Sequence, residues 1–317
     1  MWSRRLALGL VAAPLVARAQ GNWPDRPVRI VVPYSAGGVA DTTARIMQPK
    51  LAEHLGQSVI VENRTGASGS IAAAAVAQSP SDGYTLLYEG STYITLPLVN
   101  RSLPVDYEAA LSPVGISNSQ PYIIGIRAGF PARDFAGLME EARRRPGLVT
   151  YGTPGVAHIG HFMGELIQLM GNVRMEHIPF RGGADVAREL AAERIDVGII
   201  SFSSLRPAVA RGARLIGSTA PQRSPTMPEI PAIAETLPGY ELMAWTGFFA
   251  PAATPQGPRT RFLEALRQTL EDPGIRQRMI EIGNDPLFGD GAEMAATIRR
   301  GRETLRRIMQ SANITLG

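Results

Sequence analysis

An alternation of strand-like and helix-like segments, which occurs twice along the chain, constrains the fold more than any other feature of the sequence. In the first half the strand-like runs are 28–33, 57–62 and 85–88, and the helix-like runs are 42–55 and 70–78. Asp41 or Thr42 is the expected N-cap of the first helix, because either side chain can accept a bond from a free backbone N–H. A β-α-β-α-β order predicts parallel strands joined by right-handed crossovers.

The same order returns in the second half of the chain. Its strand-like runs are 148–151, 173–179 and 195–200, and its helix-like runs are 157–170 and 184–193. The first of these helices carries an apolar stripe made of Ile159, Phe162, Met163, Leu166, Ile167 and Met170. A chain of 317 residues can hold two hydrophobic cores. The two units therefore predict two α/β lobes of similar construction.

The C-terminal part departs from this pattern. The apolar and aromatic segment 242–250 is a candidate for a crossing between the lobes. The segments 261–270 and 293–312 are helix-like, and we expect them to pack on the first lobe. Beyond the N-terminus no apolar run approaches the ~20 residues of a membrane helix, so we expect a soluble mature protein.

The first 19 residues have the composition of a secretory signal peptide. An arginine pair precedes an apolar stretch over 6–17, and Ala17 and Ala19 occupy the small positions of an A-x-A cleavage site. We therefore expect export to the periplasm and a mature N-terminus near Gln20. The arginine pair leaves the twin-arginine route open beside the general secretory route.

Composition narrows the classes of function. Loss of the signal peptide brings the formal charge from +4 to +1, because that segment carries three arginines and no acid (4 − 3). A nearly neutral body gives no reason to expect a nucleic-acid partner. The absence of cysteine excludes disulfides, a thiol nucleophile and a Cys-ligated metal. There is no G-x-S-x-G elbow, and 34–38 lacks the dinucleotide fingerprint, so we expect no cofactor and no enzymatic activity.

Two glycine-containing breaks, at 34–41 and 152–158, each lie between a strand and a helix. In parallel α/β sheets, ligands bind outside the carboxyl ends of the strands, where such breaks lie. The free N–H groups and the positive end of the following helix favour an anion. Arg64 and Arg181 also follow strand ends, and they are candidate partners for a carboxylate.

One helix face offers an alternative chemistry. His158, His161 and Glu165 are spaced at i, i+3 and i+7, which is a conceivable set of metal ligands. The other interpretation is a polar face turned to solvent or to a cleft.

In several blocks the sequence resembles the Bug-type substrate-binding proteins of tripartite tricarboxylate transporters. The opening block runs from Trp23 to Tyr34 and continues with Ala36, Gly37, Gly38 and Asp41. The further blocks are 61–64 with Gly66, Gly69 and Ile71, Pro80 with 82–87, 151–152, 160–161, 177–183, 223–225 with Pro228, 230–231 and 250–255. They follow one another in order over essentially the whole mature chain.

The resemblance implies a two-lobed periplasmic-binding-protein clamshell (type II-like), in which each lobe is a mostly parallel α/β sheet flanked by helices. It also implies two crossover segments and both termini in the first lobe. On this basis we expect a signal peptide over 1–19, a first lobe over 20–121 plus 246–317, and a second lobe over 122–245.

The resemblance also implies where a ligand binds, with carboxylates held more by backbone amides and ordered water than by charged side chains. The ligand-binding positions are Tyr34, Ser35, Ala36, Gly37, Gly38, Asp41, Ser70, Ser91 and Thr92 from the first lobe, and Thr153, Gly155, His158, His161, Arg181 and Ser201 from the second. No catalytic or metal-binding residue is implied. Glu89, Pro154 and Val156 stand where the family commonly has small or polar residues, which leaves the ligand's identity open.

These observations predict an extracytoplasmic solute receptor. We expect a monomer that binds a small mono- or dicarboxylate, an aromatic acid or an amino acid in the cleft between its lobes and delivers it to a multi-span membrane permease. Two alternatives stay open at this point. One is a periplasmic metal-dependent hydrolase that uses His158, His161 and Glu165, and the other is a ligand-sensing partner of a signalling protein.

Overall fold

The computed structural model describes residues 23–34, 36–100, 102–156, 158–224 and 227–312. The predicted signal peptide lies outside the described residues. The strands are β1 (Val28–Val32), β2 (Val59–Asn63), β3 (Thr85–Gly90), β4 (Leu111–Gln120), β5 (Tyr122–Ile126), β6 (Thr150–Thr153), β7 (Glu176–Pro179), β8 (Val197–Ser201), β9 (Arg214–Ser218), β10 (Ala244–Pro251) and β11 (Asp285–Asp290). The helices are α1 (Val39–Leu55), α2 (Ser70–Ala77), α3 (Thr92–Val99), α4 (Tyr107–Ala110), α5 (Phe135–Arg144), α6 (Ile159–Gly171), α7 (Gly183–Ala191), α8 (Phe202–Val209), α9 (Gln256–Glu271), α10 (Pro273–Glu281) and α11 (Gly291–Ala312).

The strands form two sheets. The first sheet has the order β11-β4-β10-β3-β1-β2, and the second has the order β7-β6-β8-β5-β9. The strands predicted from the two repeats are parallel: β1 pairs with β2 and β3, and β6 pairs with β7 and β8. The remaining pairs are antiparallel, so both sheets are mixed rather than mostly parallel.

The antiparallel pairs follow from the way the chain crosses between the sheets. β4 of the first sheet ends at Gln120, and β5 of the second sheet begins at Tyr122. A strand that enters a sheet from the other lobe runs away from the gap between the lobes, whereas β3 and β8 run toward it. β5 is therefore antiparallel to β8, and β10, which enters the first sheet at Ala244, is antiparallel to β3.

The first helix begins earlier than the sequence predicts. α1 starts at Val39, and its N-cap is Gly38 rather than Asp41 or Thr42. Asp41 lies in the first turn instead, where its carboxylate accepts a hydrogen bond from the Gly37 N–H at 2.8 Å. The cap prediction is wrong because the acidic side chain bonds backward to the preceding loop.

Each lobe has an apolar core between its sheet and its helices. In the first lobe, Met47 of α1 and Phe262 of α9 pack in one cluster with Ile30 and Phe248 of the sheet, and all four side chains are fully buried. In the second lobe, α7 and α8 cover β5 and β8 with side chains that include Val186, Leu190 and Leu205. Burying one such side chain contributes about 1.5–3 kcal/mol to stability.

A third apolar cluster continues from one lobe into the other. It includes Ile94 and Trp245 of the first lobe and Ile159 and Phe162 of the second. α11 contacts α3 and β4 on one side and α6 on the other. The C-terminal helix therefore packs on the first lobe, as the sequence predicts, and also contacts α6 of the second.

The division of the lobes at 121/122 and 245/246 stays a prediction, and the ends of β4, β5 and β10 lie close to it. Among the described residues, none of the helices is both long enough and apolar enough to cross a membrane.

Candidate ligand-binding cleft

A cleft of about 660 Å³ lies between the lobes. Its walls come from the ends of β3 and β8, where the chain passes from strand to helix, and from the segments that follow β1 and β6. Seven of the predicted ligand-binding residues line it: Tyr34, Gly38, Ser91, Thr92, His158, Arg181 and Ser201. The two glycine-containing breaks therefore face each other across one cavity.

Helix N-termini converge on this cleft. Among the described residues, five N-caps line it, and these are Gly38 of α1, Ser91 of α3, His158 of α6, Gly182 of α7 and Ser201 of α8. His158 is the one of the five whose side chain caps its helix, through Nδ1, which accepts from the Gly160 N–H at 3.2 Å. The other four make no side-chain bond to a backbone N–H of their helix, and two of them are glycines. Free N–H groups and positive dipole ends are thus directed at the cavity.

The charges around the cleft have one sign. Among the described residues that line it, none is Asp or Glu, and Arg181 is the one arginine or lysine. The Arg181 side chain is exposed. Burial, and after it the neighbouring His161, lowers the pKa of His158 to about 4, so its ring is neutral at pH 7. The cleft therefore suits a small anion and offers little repulsion to it.

Hydroxyl groups form part of the wall. The hydroxyl oxygens of Tyr34 and Thr92 lie 2.8 Å apart and share a hydrogen bond. Burial, followed by the nearby Glu89, raises the pKa of Tyr34, and burial raises that of Tyr122. Both phenols stay protonated at physiological pH and can donate a hydrogen bond. The Tyr122 hydroxyl also lies 3.5 Å from His158 Nε2.

Asp41 does not line the cleft and supports it from behind. Its buried carboxylate accepts bonds from Gly37 N–H, Arg45 Nε and Asn63 Nδ2 at 2.8, 3.0 and 2.9 Å. Burial alone would raise the pKa of Asp41, and the bonds from Arg45, Gly37 and Asn63 outweigh it and hold that pKa below its usual range. Asp41 thus fixes the loop that leads into α1.

Several other predicted residues lie outside the cavity wall. Ala36 and Gly37 are exposed beside it, and Ser70 is buried as the first residue of α2. Gly155 adopts a φ of +133°, which a side chain would strain, and it shapes the loop after β6. Ser35 lies outside the described residues.

Thr153 and His161 belong to a polar cluster behind the second-lobe wall. The Thr153 hydroxyl and His177 Nε2 lie 2.7 Å apart, and the His161 ring stacks on the His177 ring. Glu165 accepts bonds from the Tyr151 hydroxyl and from Gln168 Nε2. These contacts hold the cluster inside the lobe, away from a cleft ligand.

Two of the three side chains of the metal alternative lie close together, since His161 Nε2 is 3.7 Å from Glu165 Oε1. His158 faces the cleft, whereas Glu165 is engaged by Tyr151 and Gln168. No group of three His, Cys, Asp or Glu side chains among the described residues is arranged to hold a metal ion.

Comparison with known families identifies the family of this chain. The model of the tripartite tricarboxylate transporter family receptor matches residues 43–314. The chain belongs to this family. The resemblance that the sequence shows to Bug-type receptors is thereby confirmed, and so is the two-lobed α/β clamshell.

Individual relatives of this receptor family agree over nearly the full length. A UPF0065 protein from the tcbD-tcbE intergenic region of a Pseudomonas species is 32% identical over 281 residues, which are 88% of this chain and 84% of that protein. A Rhodopseudomonas palustris protein solved with adipate is 31% identical with a TM-score of 0.79, over 92% of this chain and 98% of that one. A second protein from that organism, solved with bound malate, is 25% identical with a TM-score of 0.72, over 90% and 99% of the two chains.

Sequence reasoning missed part of the receptor's cleft. Gln120, Tyr122, Trp245 and Thr246 reach it from the strands that cross between the lobes. Asn284 reaches it from the C-terminal region, where its buried side chain donates from Nδ2 to Thr43 Oγ1 at 2.6 Å, while its Oδ1 has no hydrogen-bond partner among the described residues. The aromatic segment 242–250 carried a signal for a crossing but none for a ligand contact, and no local pattern marks Asn284.

Proposed function

We propose that this protein is a periplasmic receptor that binds a small carboxylate in the cleft between its lobes and delivers it to a multi-span permease of the tripartite type. The observation that carries the proposal is the convergence of five helix N-caps on one cavity that no acidic residue lines among those described. Such termini bind anions through backbone N–H groups and the helix dipole.

The energetics are sufficient without a salt bridge. Micromolar binding requires about −8 kcal/mol. A partly buried helix N-terminus contributes up to ~2 kcal/mol, and a hydrogen bond to a charged group contributes ~1.5–3 kcal/mol. Two or three termini with a few such bonds reach the required total before the costs of ordering the ligand and the lobes are subtracted. Arg181 at the exposed rim then adjusts the affinity rather than creating it.

The family supports the choice of a carboxylate. Adipate and malate, which occupy the two Rhodopseudomonas palustris relatives, are both dicarboxylates. We propose that the ligand of this protein shares their carboxylate group, and we propose nothing here about the rest of its structure. The proposal includes no catalytic step and no cofactor, and it treats the receptor as a monomer that leaves the cytoplasm through its predicted signal peptide.

Ligand-dependent thermal stability tests this function. The mature protein is heated with a panel of mono-, di- and aromatic carboxylates, with sugars and with organic cations as the comparison sets. A ligand that binds only the folded state adds about 2.7 kcal/mol to its stability at a hundredfold excess over Kd. We expect a higher Tm with at least one carboxylate and with none of the sugars or cations. A sugar that raises Tm while every acid fails would refute the proposal.

A further inference from the structure

A second cavity, of about 310 Å³, lies behind the cleft at the seam between the lobes. It is enclosed by α3, β4, α11 and the segment that precedes β10. We call it the hinge chamber and define it by Ile94, Ile116, Leu242, Trp245 and Leu305. All five side chains are buried, and Leu305 is fully so. The chamber is thus a mainly apolar space within the continuous cluster that joins the lobes, although the hydroxyl groups of Ser91, Thr219, Thr297 and Thr304 also line it.

The chamber adjoins the cleft directly. Ser91, Ile159 and Trp245 line both cavities, and they come from both lobes. The Trp245 N–H donates to Ser91 Oγ at 3.2 Å, which fixes the strand and the start of α3 against each other at this point. Ser91 is also one of the N-caps that converge on the cleft. An anion held at this helix terminus therefore has the hinge chamber immediately beside it.

The charged residues that line the chamber stand at its solvent end. Arg300 and Glu241 are the charged residues among those described that line it, and Arg300 Nε lies 3.5 Å from Glu241 Oε1. Both side chains are largely exposed, so the pair stands at the solvent end and carries no net charge. A carboxylate placed deeper, among Ile94, Ile116 and Leu305, would lose its hydration and find no cationic partner among the described residues there.

We propose that the hinge chamber receives the hydrocarbon part of a monocarboxylate whose head group is held at the helix N-termini of the cleft. The inference rests on the proposed function and narrows its ligand to an acid with an apolar alkyl or aryl tail. A compact hydroxy acid would leave the chamber unfilled by apolar atoms. A long dicarboxylate would carry its second charge into it.

The size of the effect follows from apolar burial. Each methylene transferred from water to an apolar site gains ~0.8 kcal/mol, which is about fourfold in Kd. Over the four methylenes that separate butanoate from octanoate, the affinity should rise on the order of a hundredfold. Octanedioate, which matches octanoate in length, should bind more weakly than octanoate.

Isothermal titration calorimetry with butanoate, hexanoate, octanoate and octanedioate tests the chamber. Two variants fill it from α11: Thr304→Phe and Gly301→Leu, the latter at a position where an added Cβ meets only the flexible end of Ile94. Thr304→Val is the matched control, because it keeps the size of the side chain. Circular dichroism and thermal unfolding verify that each variant is folded.

In the wild type and in Thr304→Val, we expect the affinity to rise with the chain length of the acid. In both filled variants this rise should be lost. Butanoate should bind all four proteins with the same affinity. If butanoate binds but the affinity does not rise from butanoate to octanoate, the inference about the chamber is wrong and the receptor function is unaffected. If the affinity still rises with chain length in both filled variants, the tail binds elsewhere and the inference is also wrong. Equal loss of butanoate binding in the folded, filled variants would give the chamber a structural role instead. Failure of all four acids to bind, while another carboxylate raises the melting temperature, would overturn this inference and leave the receptor function intact.

Discussion

The imidazole rings of His161 and His177 lie nearly parallel, with their centroids 3.9 Å apart and their planes at 11°. Burial lowers the pKa of His161 to about 4, and burial followed by the neighbouring His161 lowers that of His177 to about 3. Both rings are therefore neutral at pH 7 and stack as uncharged aromatic groups. Two imidazolium ions at this separation, away from water, would repel each other strongly.

The stack makes stability depend on pH on the acid side. Both folded-state pKa values lie below the unfolded value of about 6.5, so the contribution is complete above that pH and is lost as pH falls toward 4. We expect the free energy of unfolding to drop by about 1.4 kcal/mol per pH unit for each histidine in that window. Urea denaturation between pH 4.5 and 8 measures it. His161→Gln should reduce the slope, and an equal slope in wild type and variant would contradict this account.

Local patterns in the sequence predict the two lobes and the breaks that face the cleft. The β-branched run at Val28–Val32 predicts a buried strand, and the apolar stripe of α6 predicts a helix, and both elements are present. Two glycine-rich breaks after strands then place Gly38 and His158 at the cleft. The type of each of these elements depends on the residues within it, so the sequence alone can predict it.

The rest of the site depends on contacts that no short segment contains. Trp245 and Gln120 reach the cleft because their strands cross between lobes, and Asn284 reaches it because the C-terminal region packs on α1 through Thr43. The resemblance to Bug-type receptors implies a ligand contact for Asp41, but Asp41 does not line the cleft. The earlier start of α1 turns it inward to Arg45 and Asn63 instead.

Glu89 should cost the protein stability at neutral and alkaline pH. Its side chain is fully buried, and neither carboxylate oxygen has a hydrogen-bond partner in the described part of the chain. Burial raises the pKa of Glu89 to about 8, so the folded state keeps the acid neutral while the unfolded state ionises above about pH 4.5. Stability is therefore lost progressively as pH rises from about 4.5 to about 8.

Glu89→Gln removes this dependence with little change of shape. We expect the variant to match the wild type near pH 4.5 and to exceed it by a margin that grows by about 1.4 kcal/mol per pH unit up to about pH 8. Guanidinium denaturation at pH 4.5, 6 and 7.5 measures the margin. Glu53→Gln, on an exposed part of α1, makes the same chemical change at the surface as a control. A margin that does not vary with pH would show that Glu89 is ionised in the folded protein.

Arg181 should matter little to affinity. It lines the cleft, but its side chain is exposed, and an exposed ion pair is worth ~0–1 kcal/mol. We expect Arg181→Ala to weaken carboxylate binding by no more than about tenfold, or ~1.4 kcal/mol. Calorimetry at low and at physiological salt measures it, with Arg211→Ala as the matched change at an exposed position outside the cleft. A loss of more than a hundredfold would make the guanidinium the main anchor.

Gly38→Val should abolish carboxylate binding while the lobes stay folded. Gly38 is the N-cap of α1, it lines the cleft, and its φ of −69° and ψ of 164° are extended values that valine adopts without strain. The added side chain would project over the free N–H groups of the first turn, so an anion could no longer approach them. We expect at least a hundredfold loss of affinity by calorimetry, with a melting temperature close to that of the wild type. Gly257→Val, which adds the same atoms to α9 where an added Cβ meets no neighbour, should bind normally. If Gly38→Val binds normally and Arg181→Ala does not bind, a side-chain ion pair rather than the backbone amides carries recognition.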